Sequence, residues 1–203
     1  MLTGVKRNLK RWLSLTEARQ TSAQEVPVDA LNTRVLTYSC AVSDLLEVIE
    51  MVAPPAPAAV LFRKLFNAEI PQFPHHMLVR YIGGNHEEPP IVGYVHFTAT
   101  KDFYLCGGMC IDATAYKRMA TTHRTRIGEA GGITEIMLRA CFHDLSDKPA
   151  IFGYCGDVRA MKVDLRAGFV PTQHPYLIVH WKHEISDSSK AELVAAAYAI
   201  GAF

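Results

Sequence analysis

The residues best suited to bind an anion lie in one stretch, Arg124–Arg139, with the sequence RTRIGEAGGITEIMLR. Arg124 and Arg126 open it, four small residues follow, and apolar residues then recur with the spacing of one helix face. A glycine-rich turn at a helix N-terminus directs free N–H groups and the positive end of the helix dipole at one place. The stretch therefore predicts a phosphate-binding turn. The alternative is a flexible loop before an ordinary core helix.

The cysteines raise the question of a metal site or a disulfide framework. Cys106 and Cys110 fall on one face of a regular strand, but strand rise separates them by about 13 Å, too far for one ion. We therefore expect no metal site. The five cysteines are odd in number and scattered through apolar segments, which is typical of reduced thiols in a cytoplasmic protein. They are Cys40, Cys106, Cys110, Cys141 and Cys155.

Length and charge limit the function classes. The chain has 203 residues and a net charge of +1, so we expect one main domain and no overall attraction to nucleic acid or membranes. Residues 1–28 are predicted to form a basic helix and linker, and residues 185–203 a C-terminal helix beside a main domain over 29–184. The apolar run Leu193–Phe203 is too short to span a bilayer. A cytoplasmic protein is the expectation, and a homodimer is left open.

The elements that must position these residues alternate in type. Helical patterns cover Ser43–Met51, Val60–Phe66, the stretch after the glycine-rich turn to about Leu145, a segment capped by Asp157 and Gly168, and one opened by Ser189. Val158, Met161 and Leu165 form the expected buried stripe of the fourth helix. Strand patterns cover Thr33–Cys40, His75–Ile82, Ile91–Thr100, Phe103–Ile111, Ala150–Cys155 and Tyr176–Trp181.

Three consecutive strands predict an antiparallel meander, and a crossover helix then leads to a strand parallel to the last of them. The fold class is α/β, with a mixed central sheet and helices on both faces. Gly107–Gly108 lies within the third meander strand, where glycine is costly, so we expect a bulge or a close approach of a ligand to the backbone.

This order of elements resembles the GNAT superfamily of acyl-CoA-dependent N-acetyltransferases over roughly residues 33–182. The family's pyrophosphate turn has the pattern Arg/Gln-x-x-Gly-x-Gly/Ala. Gly128 and Ala130 match it, whereas Thr125 stands where the family has Arg or Gln. A second similarity is GDVRAMKVDLRAGF (156–169), in which Asp164 occupies the position of the family's tyrosine. The family also splays two parallel strands apart around the cofactor.

The resemblance implies acetyl-CoA as co-substrate and transfer of its acetyl group to an amine of a small molecule or peptide. Its implied contacts are the backbone of one splayed strand and the turn: Met109, Cys110, Ile111, Arg124, Thr125, Arg126, Ile127, Gly128, Glu129, Ala130 and Gly131. The family tyrosine protonates the departing thiolate. Asp164 at that position would repel a thiolate unless protonated, which makes Tyr154 the substitute candidate for the acid, with a core tyrosine as the alternative.

Acyl transfer also needs an amine in its deprotonated form. His96 on the neighbouring strand is the candidate base, because a neutral imidazole is available near pH 7, and a water relay to Asp112 is a second route. A packed core histidine is the favoured alternative for His96. A second possible function is a GNAT-like module that binds acyl-CoA or another phosphorylated ligand without catalysis.

Overall fold

A computed structural model describes residues 33–53, 56–70 and 75–203. The basic helix and linker predicted over residues 1–28 lie outside this part of the chain. The segments that carry the candidate site all lie within it.

The described strands form one eight-stranded sheet in the order β1-β2-β3-β4-β5-β6-β8-β7. All neighbouring pairs are antiparallel except β5 and β6, which run parallel. The strands are β1 Thr33–Val35, β2 Leu46–Met51, β3 His75–Tyr81, β4 Ile91–Ala99, β5 Tyr104–Ile111, β6 Ala150–Tyr154, β7 Val170–Pro171 and β8 Leu177–Trp181. The predicted mixed sheet, with its meander and one parallel pair, is confirmed.

Helices cover both faces of this sheet, as predicted. They are α1 Ala56–Phe66, α2 Ala113–Arg118, α3 Thr121–Glu129, α4 Ile133–Asp144, α5 Val158–Ala167 and α6 Asp187–Ile200. α4 and α5 bury apolar residues on one face, in the larger core. α1 and α6 pack on the other face, α1 against β2 to β5 and α6 against β5, β6 and β8. The parallel strands β5 and β6 therefore lie between two helical layers.

The helix predicted over Ser43–Met51 is wrong. Residues 41–45 form a turn, and Leu46–Met51 is strand β2, paired with β3 along its length. β2 is buried on both faces, so its apolar residues are almost continuous, and such a run does not distinguish a strand from a buried helix. The first strand is also shorter than predicted and ends at Val35.

The ends of two later helices differ in how well the sequence predicted them. Asp157 caps α5, its carboxylate accepting from the backbone amides of Arg159 and Ala160, and Gly168 ends the helix at φ 122°, both as predicted. α6 begins two residues before Ser189, and its cap is Ser186, so the predicted cap at Ser189 is wrong. Among the described residues, none of the helices combines the length and apolar character that crossing a membrane requires.

Candidate functional site

The parallel strands β5 and β6 separate after one short stretch of pairing. Their register runs from Tyr104 opposite Ile151 to Cys106 opposite Gly153 and ends there. Beyond this point a cavity of about 110 Å³ opens between the strands. Its lining comprises Cys106, Gly107, Gly108, Met109, Gly153, Tyr154, Cys155, Ala160, Asp164, Phe169, Ile178 and Phe203. The backbone of β5 past Cys106 therefore faces a gap, as the resemblance implied.

A β-bulge lies at the edge of this gap. Tyr94 pairs with Cys110, but His96 pairs with Gly107, so Val95 opposes two residues of β5. Gly108 takes up the distortion at φ 41°, a left-handed conformation that favours glycine. The bulge expected at Gly107–Gly108 is present one residue later, at Gly108–Met109.

The bulge also changes which way the β5 side chains point. Cys106 packs against the core under α4 and α5, whereas Cys110 is buried in the cluster under α1. The two thiols thus lie on opposite faces, and the expectation that they share one face is wrong, because the extra residue reverses the alternation of the strand. Within the described part of the chain, no three His, Cys, Asp or Glu side chains are arranged to hold a metal ion.

His96 packs directly beneath the bulge. A Cβ placed on Gly107 would lie 2.7 Å from its Nε2 atom, and one on Gly108 would lie 2.3 Å from its Cε1 atom. Burial lowers the pKa of His96 to about 3, and the neighbouring His76 contributes in the same direction. The imidazole is therefore neutral near pH 7, but it would hold a proton taken from an amine only weakly. Its position favours support of the bulge over the function of a base.

Asp164 reaches the cavity from α5. The buried residues of this helix are Asp164 and Ala167, whereas Val158 is 73% exposed and Leu165 is 38% exposed. The predicted stripe of Val158, Met161 and Leu165 is therefore wrong, because the helix turns Asp164 toward the sheet. The site thus receives a carboxyl from a residue outside the predicted apolar stripe.

The environment of Asp164 favours its protonated form. The residue is 4% exposed, and its Oδ1 atom is buried without a hydrogen-bond partner among the described residues. Burial raises the pKa of this carboxyl, an effect that the neighbouring Cys155 thiol opposes in part. A carboxyl that retains its proton can donate a hydrogen bond or a proton into the cavity.

The two thiols that line the cavity are poor nucleophiles. Burial raises the pKa of Cys155 to about 12, with the Asp164 carboxyl adding to the shift. Burial also raises the pKa of Cys106, again with a contribution from Asp164. Because the thiolate is the reactive form, neither cysteine is suited to form a covalent acyl intermediate at neutral pH.

Two aromatic residues line the cavity from the α6 side. Tyr154 ends β6, and its ring lies 6.2 Å from that of Phe203 in an edge-on arrangement and 6.2 Å from that of Tyr176. Both Tyr154 and Phe203 pack against the cluster under α6. Tyr154 and Asp164, the two candidates for the acid, are thus brought to the same cavity from opposite faces of the sheet.

The glycine-rich turn lies later in the sequence than predicted. Thr125, Arg126, Ile127, Gly128 and Glu129 belong to α3, and Arg124 precedes them in the same helix. Their amides are committed to a helix, so the predicted turn around Gly128 is wrong. Ala130 ends α3, and Gly131 and Gly132, at φ 101° and 88°, form the turn into α4.

This turn brings the start of α4 to the carboxyl end of β5. A Cβ placed on Gly93 would lie 3.1 Å from Ile111 at the end of β5 and 3.3 Å from Ile133 at the start of α4. The first α-helical hydrogen bond of α4 is donated by the amide of Ile136 to the carbonyl of Gly132, and no side chain caps the helix. The amides of the first turn are therefore available to an anion near the gap.

A carboxylate already lies beside this turn. Glu135 projects toward Gly131, where a Cβ would come within 2.6 Å of its carboxyl. It forms ion pairs of 2.9 Å with Arg139 and 3.0 Å with Arg166. The two guanidinium groups more than offset its single negative charge and link the start of α4 to the end of α5.

The two arginines of the predicted turn have different partners. Arg126 binds Asp44 through two bonds of 2.8 Å and donates to the carbonyl of Ala41 at 3.2 Å, so its guanidinium is engaged in the structure itself. Arg124 donates to Thr121 at 3.1 Å, and its Nε atom has no hydrogen-bond partner among the described residues. Of the two, Arg124 retains more capacity to bind an anion.

The structure thus brings together part of the predicted site. Met109, Tyr154 and Asp164 line the cavity, His96 lies behind it, and Ile111 lies where β5 meets α4. Cys110 is buried on the far face, and Ile127 is a core residue. Ala160 and Phe169 belong to the stretch 156–169 in which the family resemblance was found, although neither was predicted as a site residue. Sequence reasoning did not identify Ile178 and Phe203, whose apolar character alone carries no signal of a site.

Two solved structures are similar to this chain at low identity. Tetrahymena GCN5 is 12% identical with a TM-score of 0.39, over 64% of this chain and 88% of its own. A chain of the KacTA–DNA complex is 14% identical with a TM-score of 0.37, over 74% of this chain and 99% of its own. No protein-family model and no curated protein matches the sequence. Neither structural likeness assigns a function to any residue.

Proposed function

We propose that this chain of GNAT-like fold is an acyl-CoA-dependent N-acyltransferase that transfers acetyl from acetyl-CoA to an amine of a small molecule or peptide. The observation that carries the proposal is the gap between β5 and β6. Its cavity is bordered by Gly107, Gly108 and Met109, whose backbone forms no strand pairing with β6. A pantetheine arm is a chain of amides and methylenes, and such a gap offers it both backbone hydrogen bonds and apolar walls.

The phosphates would bind at the start of α4, next to the end of β5. The amides of Ile133 and Thr134 are the groups suited to hold them, because the amides of Gly131 and Gly132 already donate to the carbonyls of Gly128 and Ile127. Because α4 covers one face of the sheet, the thioester would enter the gap from that side. The amine would then approach from the opposite face, where Tyr154 lies.

The reaction is direct attack within a ternary complex. The amine nitrogen bonds to the thioester carbonyl carbon, the carbon–sulfur bond breaks, and the amine gives up a proton to solvent. The departing sulfur takes a proton from the Asp164 carboxyl, which solvent then protonates again. An amide N–H of the Gly108–Met109 bulge would stabilise the developing oxyanion.

Asp164 is the better of the two candidates for the acid. It lines the cavity from the face on which the thioester would enter, and burial raises its pKa, which favours the protonated form that an acid requires. Tyr154 lies on the other face, against Phe203 and Tyr176, where it would meet the amine first.

A thiol-release assay with acetyl-CoA and a panel of amines tests the proposal. We expect turnover with at least one amine and a rate that decreases as pH rises through the folded-state pKa of Asp164. Asp164→Asn should lower kcat by about 10²–10⁴-fold, since general acid catalysis contributes about that much, while acetyl-CoA binding persists. Absence of both turnover and acetyl-CoA binding would contradict the proposal.

The second candidate function is a non-catalytic module that binds acyl-CoA or another phosphorylated ligand. Asp164 in place of the family tyrosine favours it, because an ionised carboxylate beside the sulfur would oppose release of a thiolate. Calorimetry that shows acetyl-CoA binding, with no product from any amine and no effect of Asp164→Asn, would support this function over catalysis.

A further inference from the structure

We propose that Phe203 limits the length of the acyl group that the gap between β5 and β6 accepts. This inference rests on the proposed function and goes beyond it by naming the residue that selects the acyl chain. Phe203 is one of the residues that line the cavity, although it lies 49 positions after Tyr154 and belongs to neither splayed strand.

The chain beyond α6 turns back toward the sheet to place this ring. Gly201 ends the helix at φ 86° and donates its amide to the carbonyl of Tyr198 at 3.0 Å. A glycine is suited to this conformation because residues with a Cβ are strained there. Phe203 then packs against the apolar cluster under α6, beside Tyr154.

The ring lines the cavity on the face opposite Asp164. Asp164 and Ala160 line the cavity from α5, and α5 packs with α4 on one face, whereas Phe203 lies on the face covered by α6. A thioester that enters from the α4 side would direct its acyl group toward Phe203. The position of the ring therefore sets how far the acyl group extends.

The size of the cavity agrees with a short acyl group. Its volume is about 110 Å³. Pockets that hold drug-sized ligands measure about 300–1,000 Å³. The neighbour of the ring within the cavity is Tyr154, and both residues pack against the apolar cluster under α6, so removal of the ring would leave space beside that cluster for additional methylenes.

Calorimetric titration with acetyl-CoA and hexanoyl-CoA tests this inference on the full chain. For Phe203→Ala we expect the affinity for hexanoyl-CoA relative to acetyl-CoA to rise at least about tenfold, because one methylene in an apolar pocket commonly changes discrimination by about 10–200-fold. Phe203→Trp should change the same ratio in the opposite direction. Ile200→Ala, a change at a half-exposed α6 residue outside the cavity, should leave the ratio unchanged.

The outcomes separate this inference from the proposed function. If the unmodified chain binds acetyl-CoA and both Phe203 variants keep its affinity ratio, Phe203 does not select the acyl chain, while the proposed function stands. If Phe203→Ala does not fold, Phe203→Leu and Phe203→Trp give the same test with smaller changes in packing. If the unmodified chain binds neither compound, the proposed function fails and this inference fails with it.

Discussion

Asp164 is the residue whose burial is most informative about the site. A carboxyl that is 4% exposed, with one oxygen lacking a hydrogen-bond partner among the described residues, weakens the folded state whenever it ionises. Such a group is unfavourable for stability alone, and groups of this kind cluster at functional sites. Its position at the gap between β5 and β6 is the one that the proposed acid would occupy.

Stability should depend on pH through this residue. Burial raises the folded-state pKa of Asp164 above the usual value of 3.8, so the folded chain binds the proton more tightly than the unfolded chain. The stability that this proton contributes is complete below pH 3.8 and is lost as pH rises through the folded-state pKa. In thermal unfolding, the Tm of Asp164→Asn relative to that of the unmodified chain should therefore increase as pH rises through that range.

Asp157→Asn is the matched control for this measurement. Asp157 lies on the same helix and is exposed, and its pKa is lowered by its hydrogen bonds to the amides of Ala160 and Arg159. Its contribution to stability should have the opposite sign and be lost as pH falls. An Asp164→Asn variant whose advantage does not change with pH would show that the carboxyl is not titrating in the folded state.

The cavity thiols should prove dispensable for catalysis. Because burial raises the pKa of Cys106 and Cys155, both remain protonated at neutral pH. We expect Cys155→Ala and Cys106→Ala to retain turnover within about tenfold, and mass spectrometry of the enzyme with acetyl-CoA to detect no acyl-protein adduct. An adduct lost in Cys155→Ala would establish a covalent route instead.

At the scale of elements, the turn between α3 and α4 tests where a phosphate would bind. Gly128 lies in α3 with open space around its α-carbon, whereas Gly131 has φ 101° and faces the Glu135 carboxyl. Gly128→Ala should raise the free energy of unfolding by about 0.5–1 kcal/mol and leave acetyl-CoA binding unchanged. Gly131→Ala should lower the free energy of unfolding by about 1–3 kcal/mol and weaken acetyl-CoA binding.

Chemical denaturation and calorimetry on the two variants measure these effects. They are matched, because each adds one methyl group to the same short segment. If Gly128→Ala lost acetyl-CoA binding and Gly131→Ala kept it, the phosphate would bind at Gly128, as the sequence pattern indicates. That result would contradict a phosphate site at the Gly131–Gly132 turn.

The elements also show why some of the fold was predictable and some was not. Capping of α5 by Asp157 and the bulge beside the Gly107–Gly108 pair follow from local chemistry that the sequence displays directly. Strand β2 was predicted as a helix because the apolar residues of LEVIEM are compatible with a buried helix and with a buried strand. Only the pairing with β3 distinguishes the two. α3 was missed because TTHRTRIGE buries a single residue, Ile127, and so shows no apolar stripe.

Only those parts of the candidate site that depend on residues close together in sequence could be predicted. The two splayed strands and the approximate position of the turn follow from the sequence motifs and from the order of the elements. The direction in which Asp164 points follows from how α5 packs against α4, and the presence of Phe203 follows from a turn after α6. Contacts between residues so far apart in sequence leave no periodic signal in either segment.

At the scale of the whole molecule, ligand binding should be visible as increased stability. A ligand that binds only the folded chain at 100 times its Kd stabilises it by about 2.7 kcal/mol. We expect the Tm to rise with acetyl-CoA and with CoA, and to rise less with ATP or pyrophosphate, because only the first two fill the gap as well as the turn. Equal shifts with all four would favour a general phosphate-binding module.

The most direct test of the central claim is a crystal structure grown with acetyl-CoA. We predict electron density for the pantetheine arm between β5 and β6, along Gly107–Met109, with the pyrophosphate at Gly131–Gly132 and the acetyl group between Asp164 and Phe203. Density for the cofactor at any other place on the chain, with the gap between these strands closed, would contradict the proposed site.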